Sequence, residues 1–264
     1  MTKTSLYQSK QPDENGLVTY KDAENQIWAD LYAQQYPRLK TFMAAEYLAG
    51  FKKLNMPGNR IPQCTEISVV LWELTGWRVV PVPHLIPFRR FFEMLAQRQF
   101  PAASFIRSRK DFDYVQEPDI FHEVFGHTPL LTDCRFAAFS QKIGAAGLRA
   151  APKDYAWLIR LYWFTIEFGL TRVDGKIKAL GSGLASSPTE LPYAVESNVP
   201  ERRAFNVIDI LRTPYRIDIH QPVYFVIEDL DVLFRAAERD LLADVHQAQN
   251  LGLFTPTYPA KLAS

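Results

Sequence analysis

The stretch EPDIFHEVFGHTPLL, Glu117 to Leu131, sets His122 and His127 five residues apart in an apolar run, with Glu123 beside the first. Imidazole is the commonest neutral metal ligand, so the pair reads either as a metal site or as two hydrogen-bonded core side chains. The zinc-protease pattern HExxH spaces its histidines by four on one helical face, whereas this one is HExxxH. Five residues turn an α-helix by about 500°, which leaves the rings about 140° apart. They converge on one ion only where the helix bends or ends, and Gly126 and Thr128-Pro129 are residues that bend or end it. A third donor, Glu167, lies in LYWFTIEFGL among large apolar residues. It either sits at an exposed helix edge or is buried, and a buried ionised carboxylate needs a cation or strong donors. Two imidazoles and one carboxylate with open positions form the ligand set of non-haem Fe(II) oxygenases.

The chain that must position these groups has 264 residues, 47% of them hydrophobic and 13% aromatic, enough for one well-buried domain. Its 30 basic and 29 acidic side chains leave a net charge of +1. That balance excludes the concentrated basic footprint of a nucleic-acid or anionic-membrane binder and favours a small partner. Two distant cysteines, Cys64 and Cys134, with no CxxC, suit a reduced cytoplasmic protein. The N-terminus lacks the apolar core of a signal peptide, and apolar runs are broken well before about 18 residues.

Residues 1–20 are polar and are expected to be a flexible segment, loose or wrapping the surface. The catalytic domain is expected over 21–250, with a tail at 251–264. Helical spacing predicts two helices between Lys21 and Phe51, another over QCTEISVVLWELTG ending at Gly76, and one over PFRRFFEMLAQRQFP. Further helices are predicted over RFAAFSQKIGAAG, over PKDYAWLIRLYWFTIEFGL opening at Pro152, from the Ser187-Pro188 start, and over EDLDVLFRAAERDLLADVHQ. WRVVPVP reads as a short extended piece, its prolines excluding a central strand. LTRVDGKIKAL is a hairpin turning at Asp174-Gly175, and FNVIDILRTPYRIDI a further pair of short strands. The expected fold is mainly α with short β-hairpins, in a single catalytic domain.

EPDIFHEVFGHTPLL, LYWFTIEFGL, KIKALGSGLASS and HQPVYFV, in this order and spacing, resemble the pterin-dependent aromatic amino acid hydroxylases, the bacterial phenylalanine-hydroxylating members most closely. The similarity runs over roughly residues 20–240. It implies a mononuclear Fe(II) enzyme that uses O2 and a tetrahydropterin to hydroxylate an aromatic amino acid, with His122, His127 and Glu167 as iron ligands. It implies pterin contacts at Leu85, Ile86, Phe91, Glu123 and Tyr162. For the amino acid it implies Arg107 as the carboxylate clamp, steadied by Asp119, with Tyr114, Trp163, Gly183 and Ser186 around the substrate.

One departure stands at Val115-Gln116, where animal members of the family carry Thr-Pro and use the hydroxyl to grip the substrate. Ile217 replaces an aspartate found in tyrosine-hydroxylating relatives. An apolar side chain there suits a ring without a phenol, so L-phenylalanine is the expected substrate, yielding L-tyrosine as a first catabolic step. Tryptophan is the alternative within the family, since an apolar pocket discriminates weakly among shapes that fit. Outside it, a zinc hydrolase on His122, Glu123 and His127, or a ligand-binding module without metal, compete. Absence of a regulatory domain and of a coiled-coil tail is expected, with a monomer or homodimer and no response to phenylalanine through such a domain.

Overall fold

The computed structural model describes residues 7–83 and 85–259. Three helices come first: α1 (Asp22–Phe42), α2 (Ala45–Lys53) and α3 (Cys64–Thr75). Their inner faces bury Trp28, Leu31, Leu39, Tyr47 and Leu71 almost completely. α3 stops where Gly76 takes φ 72°, a left-handed conformation that glycine adopts without a Cβ clash. Strand β1 (Arg78–Val82), helix α4 (Phe88–Ala96) and strand β2 (Gln99–Ala103) follow, the strands pairing in parallel as a two-stranded sheet. Both strands are edges, which is why Pro81 and Pro101 are tolerated in them. The helix expected to run through QRQFP ends instead at Ala96, and Arg98, with φ of 57°, turns the chain into β2.

Next come α5 (Thr128–Leu131), α6 (Cys134–Arg149), α7 (Tyr155–Tyr162) and the hairpin β3 (Leu170–Val173) and β4 (Lys176–Ala179). The hairpin turns at Asp174 (φ 49°) and Gly175 (φ 76°), the paired positive φ of a tight two-residue turn. The remaining elements are α8 (Ser182–Ser186), α9 (Glu190–Glu196), β5 (Glu201–Ala204), α10 (Val207–Arg212), β6 (Val223–Ile227), α11 (Asp231–Glu238) and α12 (Leu241–Leu251). A second sheet has the order β4-β3-β6-β5, with β6 parallel to both neighbours.

Two expectations are corrected here. FNVIDILRTPYRIDI holds no strand pair: Asn206 accepts from Asp209 N and caps the helix α10. The strands lie on either side, and VYFVI is buried along its whole length, as suits a parallel strand covered on both faces. The long C-terminal helix is broken into α11 and α12 because Asp240 leaves helical geometry and accepts from the amides of Leu242 and Ala243.

Residues 7–20 lie along the surface. Tyr7 stacks on Phe105 with centroids 4.8 Å apart, Ser9 N donates to Pro83 O, and Val18 exchanges two hydrogen bonds with the Gln63 side chain.

Candidate active site

The histidine spacing has a helical explanation different from the expected bend. Phe121–His127 is a π-helical turn that runs directly into α5. With i→i+5 hydrogen bonding and about 4.4 residues per turn, five residues rotate by about 410°, so side chains at that spacing lie about 50° apart rather than 140°. His122 and His127 therefore share a face, with Nε2 atoms 3.2 Å apart. A second π-helical turn, Trp163–Glu167, follows α7, and Phe168 N donates to Trp163 O five residues back. It delivers Glu167, whose oxygens lie 3.2 Å from His127 Nε2 and 3.6 Å from His122 Nε2. Glu123 also offers an oxygen within 4.8 Å of both imidazoles, but Glu167 is the nearer carboxylate to each.

Local chemistry holds the first turn in place. Asp119 Oδ1 accepts from His122 N at 3.1 Å, and the Thr128 hydroxyl donates to Val124 O at 2.6 Å. Gly126 lets α8 approach: a Cβ there would stand 2.7 Å from Ser182 O, a backbone atom that cannot swing away. Gly126→Ala is thus expected to cost roughly 1–3 kcal/mol by overpacking. Chemical denaturation would measure it, and an unchanged midpoint would show that α8 moves freely.

The donor set has defined protonation. Burial pushes the His122 imidazole down to about 4, against the pull of Glu167, so the ring is neutral at pH 7. Ser186 Oγ donates to the carbonyls of Ser182 and Gly183, which leaves it to accept from His122 Nδ1 at 2.8 Å. That fixes the Nδ1–H tautomer and turns the Nε2 lone pair inward. Burial would raise the Glu167 carboxyl, but His127, His122 and the Ser182 hydroxyl hold it at about 2. For Glu123, burial and then the charges of Glu167 and Asp119 keep its carboxyl well above the usual range.

Around this centre, Tyr162 OH is 3.4 Å from His127 Nδ1, and Phe91 meets the Tyr162 ring edge-to-face at 5.1 Å. Phe100 lies 4.6 Å from the His127 ring. Leu85 is exposed and Ile86 half-buried on the segment leading to α4. Arg107, 3% exposed, forms a two-point pair with Asp119: Nε to Oδ2 at 2.8 Å and Nη2 to Oδ1 at 2.9 Å. Asp119, through His122 N, thus ties the arginine to the histidine turn. Trp163 is half-buried and donates to Gln221 Oε1 at 3.2 Å. Gly183 packs under Phe168, where a Cβ would meet the ring at 2.8 Å.

Val115 is half-buried, whereas Tyr114 and Ile217 are exposed and meet through a hydrogen bond from Tyr114 OH to Ile217 O at 3.4 Å. Sequence reasoning missed Ser182, Gln221 and Tyr215. The hydroxyl-rich run SGLASS beside an apolar helix was the available signal for the first, while the other two stand far from the histidines in sequence.

Residues 2–242 match the model of the biopterin-dependent aromatic amino acid hydroxylases. The chain belongs to that family. A phenylalanine-4-hydroxylase of Pseudomonas aeruginosa is 49% identical over 99% of this chain and 100% of its own length. The apo structure of the cold-active phenylalanine hydroxylase from Colwellia psychrerythraea 34H superposes with a TM-score of 0.94 at 46% identity, covering 98% of this chain and 100% of that one. The Chromobacterium violaceum phenylalanine hydroxylase with bound oxidised Fe(III) superposes at 0.86 and 36% identity, covering 92% and 91%. Membership in this pterin-dependent family makes the protein a monooxygenase with a mostly helical catalytic domain, as its motifs implied. Among the described residues, no helix is long and apolar enough to cross a membrane.

Proposed function

We propose that the protein converts L-phenylalanine to L-tyrosine with O2 and a tetrahydropterin, at one Fe(II) held by His122, His127 and Glu167. The observation that carries this reading is the convergence of two imidazole Nε2 atoms and one carboxylate within 3.2–3.6 Å of one another. Donors on one ion with bonds near 2.1 Å lie about 3.0 Å apart at right angles, so small adjustments close the set. Neutral His122 and ionised Glu167 are the protonation states that ligation requires. Bound iron and pterin supply the activation of dioxygen and the delivery of one oxygen atom to the ring.

The protein's part is orientation and exclusion of water. Ser186 holds the His122 ring, and Ser182 holds Glu167. Phe91 offers an aromatic face to the pterin, with Leu85, Ile86, Tyr162 and Glu123 along its edge. Arg107 has five N–H donors; Asp119 takes two and Phe112 O one, and the remaining ones are offered to the substrate carboxylate. Trp163, Gly183 and Ser186 border the ring, and Tyr114, Val115 and Ile217 shape the entrance. Ile217 offers no acceptor for a phenol, which favours phenylalanine over tyrosine. We place this chemistry in the cytoplasm, in a monomer or homodimer, as a first step of phenylalanine breakdown.

The test is purified protein with Fe(II), tetrahydropterin and phenylalanine, followed for tyrosine. Activity with zinc and without pterin would instead establish a hydrolase, and tryptophan outrunning phenylalanine would change the substrate. Ser186→Ala is expected to weaken iron binding by about 10–100-fold, since the partner that fixes a ligand's tautomer is lost. Competition with a chelator reads that loss, and unchanged affinity would remove Ser186 from the iron site.

A further inference from the structure

Thr213–Gln221 is an irregular loop that reaches the aromatic pocket at two points. Tyr215 stacks on Trp163 with centroids 4.4 Å apart and planes 18° apart, and Gln221 accepts the Trp163 Nε1–H. Two residues of this loop thus hold the Trp163 ring, which Phe168 also packs against with centroids 4.5 Å apart. Inside the loop, Gln221 Nε2 donates to Arg216 O and Ile219 O, and Arg216 grips Asp218 at 2.9 and 2.8 Å around Ile217. At its far end, buried Glu190 accepts from Gln221 N at 2.8 Å.

The near end is held by the C-terminal segment 252–259, which has no helix or strand of its own. Phe254 N donates to Arg212 O at 2.9 Å. The Arg212 guanidinium lies 4.1 Å over the Phe254 ring and donates to Gly252 O at 2.8 Å. Tyr258 OH donates to Tyr215 O at 3.3 Å, and Arg216 Nη1 donates to Pro259 O at 3.0 Å. The segment thus touches residues 212, 215 and 216 in turn. Its own side chains are mostly exposed, so its burial is small and its path is defined by these contacts.

We infer that residues 252–259 are a strap that positions Tyr215, and through it Trp163, so that selectivity among aromatic amino acids is set partly from outside the pocket. Phe254 and Tyr258 are positioning residues, anchored by Arg212 and Arg216. The inference rests on the reading that Trp163 borders the substrate ring. A displacement of a supporting side chain by about 1 Å is enough to cost up to about a hundredfold in rate.

The experiment compares the full-length protein with Phe254→Ala/Tyr258→Ala, Tyr258→Ala and Tyr258→Phe, on phenylalanine and on tryptophan at fixed pterin. The double variant is expected to raise KM for phenylalanine about tenfold and to change the phenylalanine-to-tryptophan ratio of kcat/KM at least about fivefold. Iron affinity and KM for the tetrahydropterin should change less than about twofold, and Tyr258→Phe, which keeps the ring 5.9 Å from the Arg216 guanidinium but loses the hydrogen bond to Tyr215 O, should show a loss intermediate between wild type and Tyr258→Ala. Should the double variant fail to fold, Tyr258→Ala alone is held to the same pattern. Variants that keep both KM and selectivity, or that lower every parameter together, overturn the strap. Trp163→Phe separates the two ideas: if it leaves selectivity unchanged, the pocket reading itself fails, whereas a shift there with inert strap variants refutes the strap alone.

Discussion

Glu167→Ala is expected to abolish tyrosine formation, lowering kcat/KM by at least about a thousandfold, with His122→Ala close behind. Glu167 is the one proposed ligand with a negative charge, and without it only two imidazoles remain to hold a divalent ion. Metal binding also stabilises the folded state, by about 2.7 kcal/mol when free metal is a hundred times Kd. Wild-type protein should therefore gain melting temperature on adding Fe(II), and Glu167→Ala should not. Without iron the variant should melt somewhat lower than wild type, because a folded-state pKa of about 2 means that His127, His122 and the Ser182 hydroxyl more than offset the desolvation of the carboxylate. The two readouts distinguish a lost ligand from a damaged fold. Retention of the iron-dependent melting shift, together with a rate within about tenfold of wild type, would exclude Glu167 as a ligand.

Much of this site was legible because its residues are chemically conspicuous. His122, His127 and Glu167 are polar groups in apolar runs, and such groups need partners. Their convergence was not legible from α-helical geometry, which separates the two rings; the π-helical first turn is held by local bonds to Asp119 and from Thr128, and by the α8 backbone packed on Gly126, a contact known only from the fold.

The hairpin at Asp174-Gly175 followed from local turn chemistry alone. β5, α10 and β6 did not, since a short helix and a parallel strand are both brief apolar runs until their partners are known. The break between α11 and α12 turns on one aspartate, Asp240, whose capping role competes with an otherwise continuous helical pattern. Gln221 and Tyr215 needed the fold, because the loop meets Trp163 only after the chain has passed through three strands and three helices.

Asp119→Ala should have the largest effect on stability. Asp119 is fully buried and accepts from Arg107 N, Nε and Nη2 and from His122 N. Burial opposes its ionisation, but the Arg107 guanidinium wins and holds the carboxyl below the usual range. Burial likewise opposes the charge on Arg107, and Asp119 raises it. Removing the acid leaves a buried guanidinium without its paired carboxylate, at a cost of about 3–5 kcal/mol, a large part of the 5–15 kcal/mol typical of a domain. A folded-state pKa below the unfolded value means that this stability is present above about pH 4 and is lost as pH falls through the folded pKa. Wild type should therefore lose stability in acid more steeply than Asp119→Ala. A loss below about 1 kcal/mol at pH 7 would show the pair to be dispensable. Asp119→Leu combined with Arg107→Met removes both charges and keeps the volume, so it should restore most of the stability. It should leave the KM for phenylalanine high, because no guanidinium remains for the substrate carboxylate. Recovery of both stability and KM in the double variant would mean that Arg107 serves the fold alone.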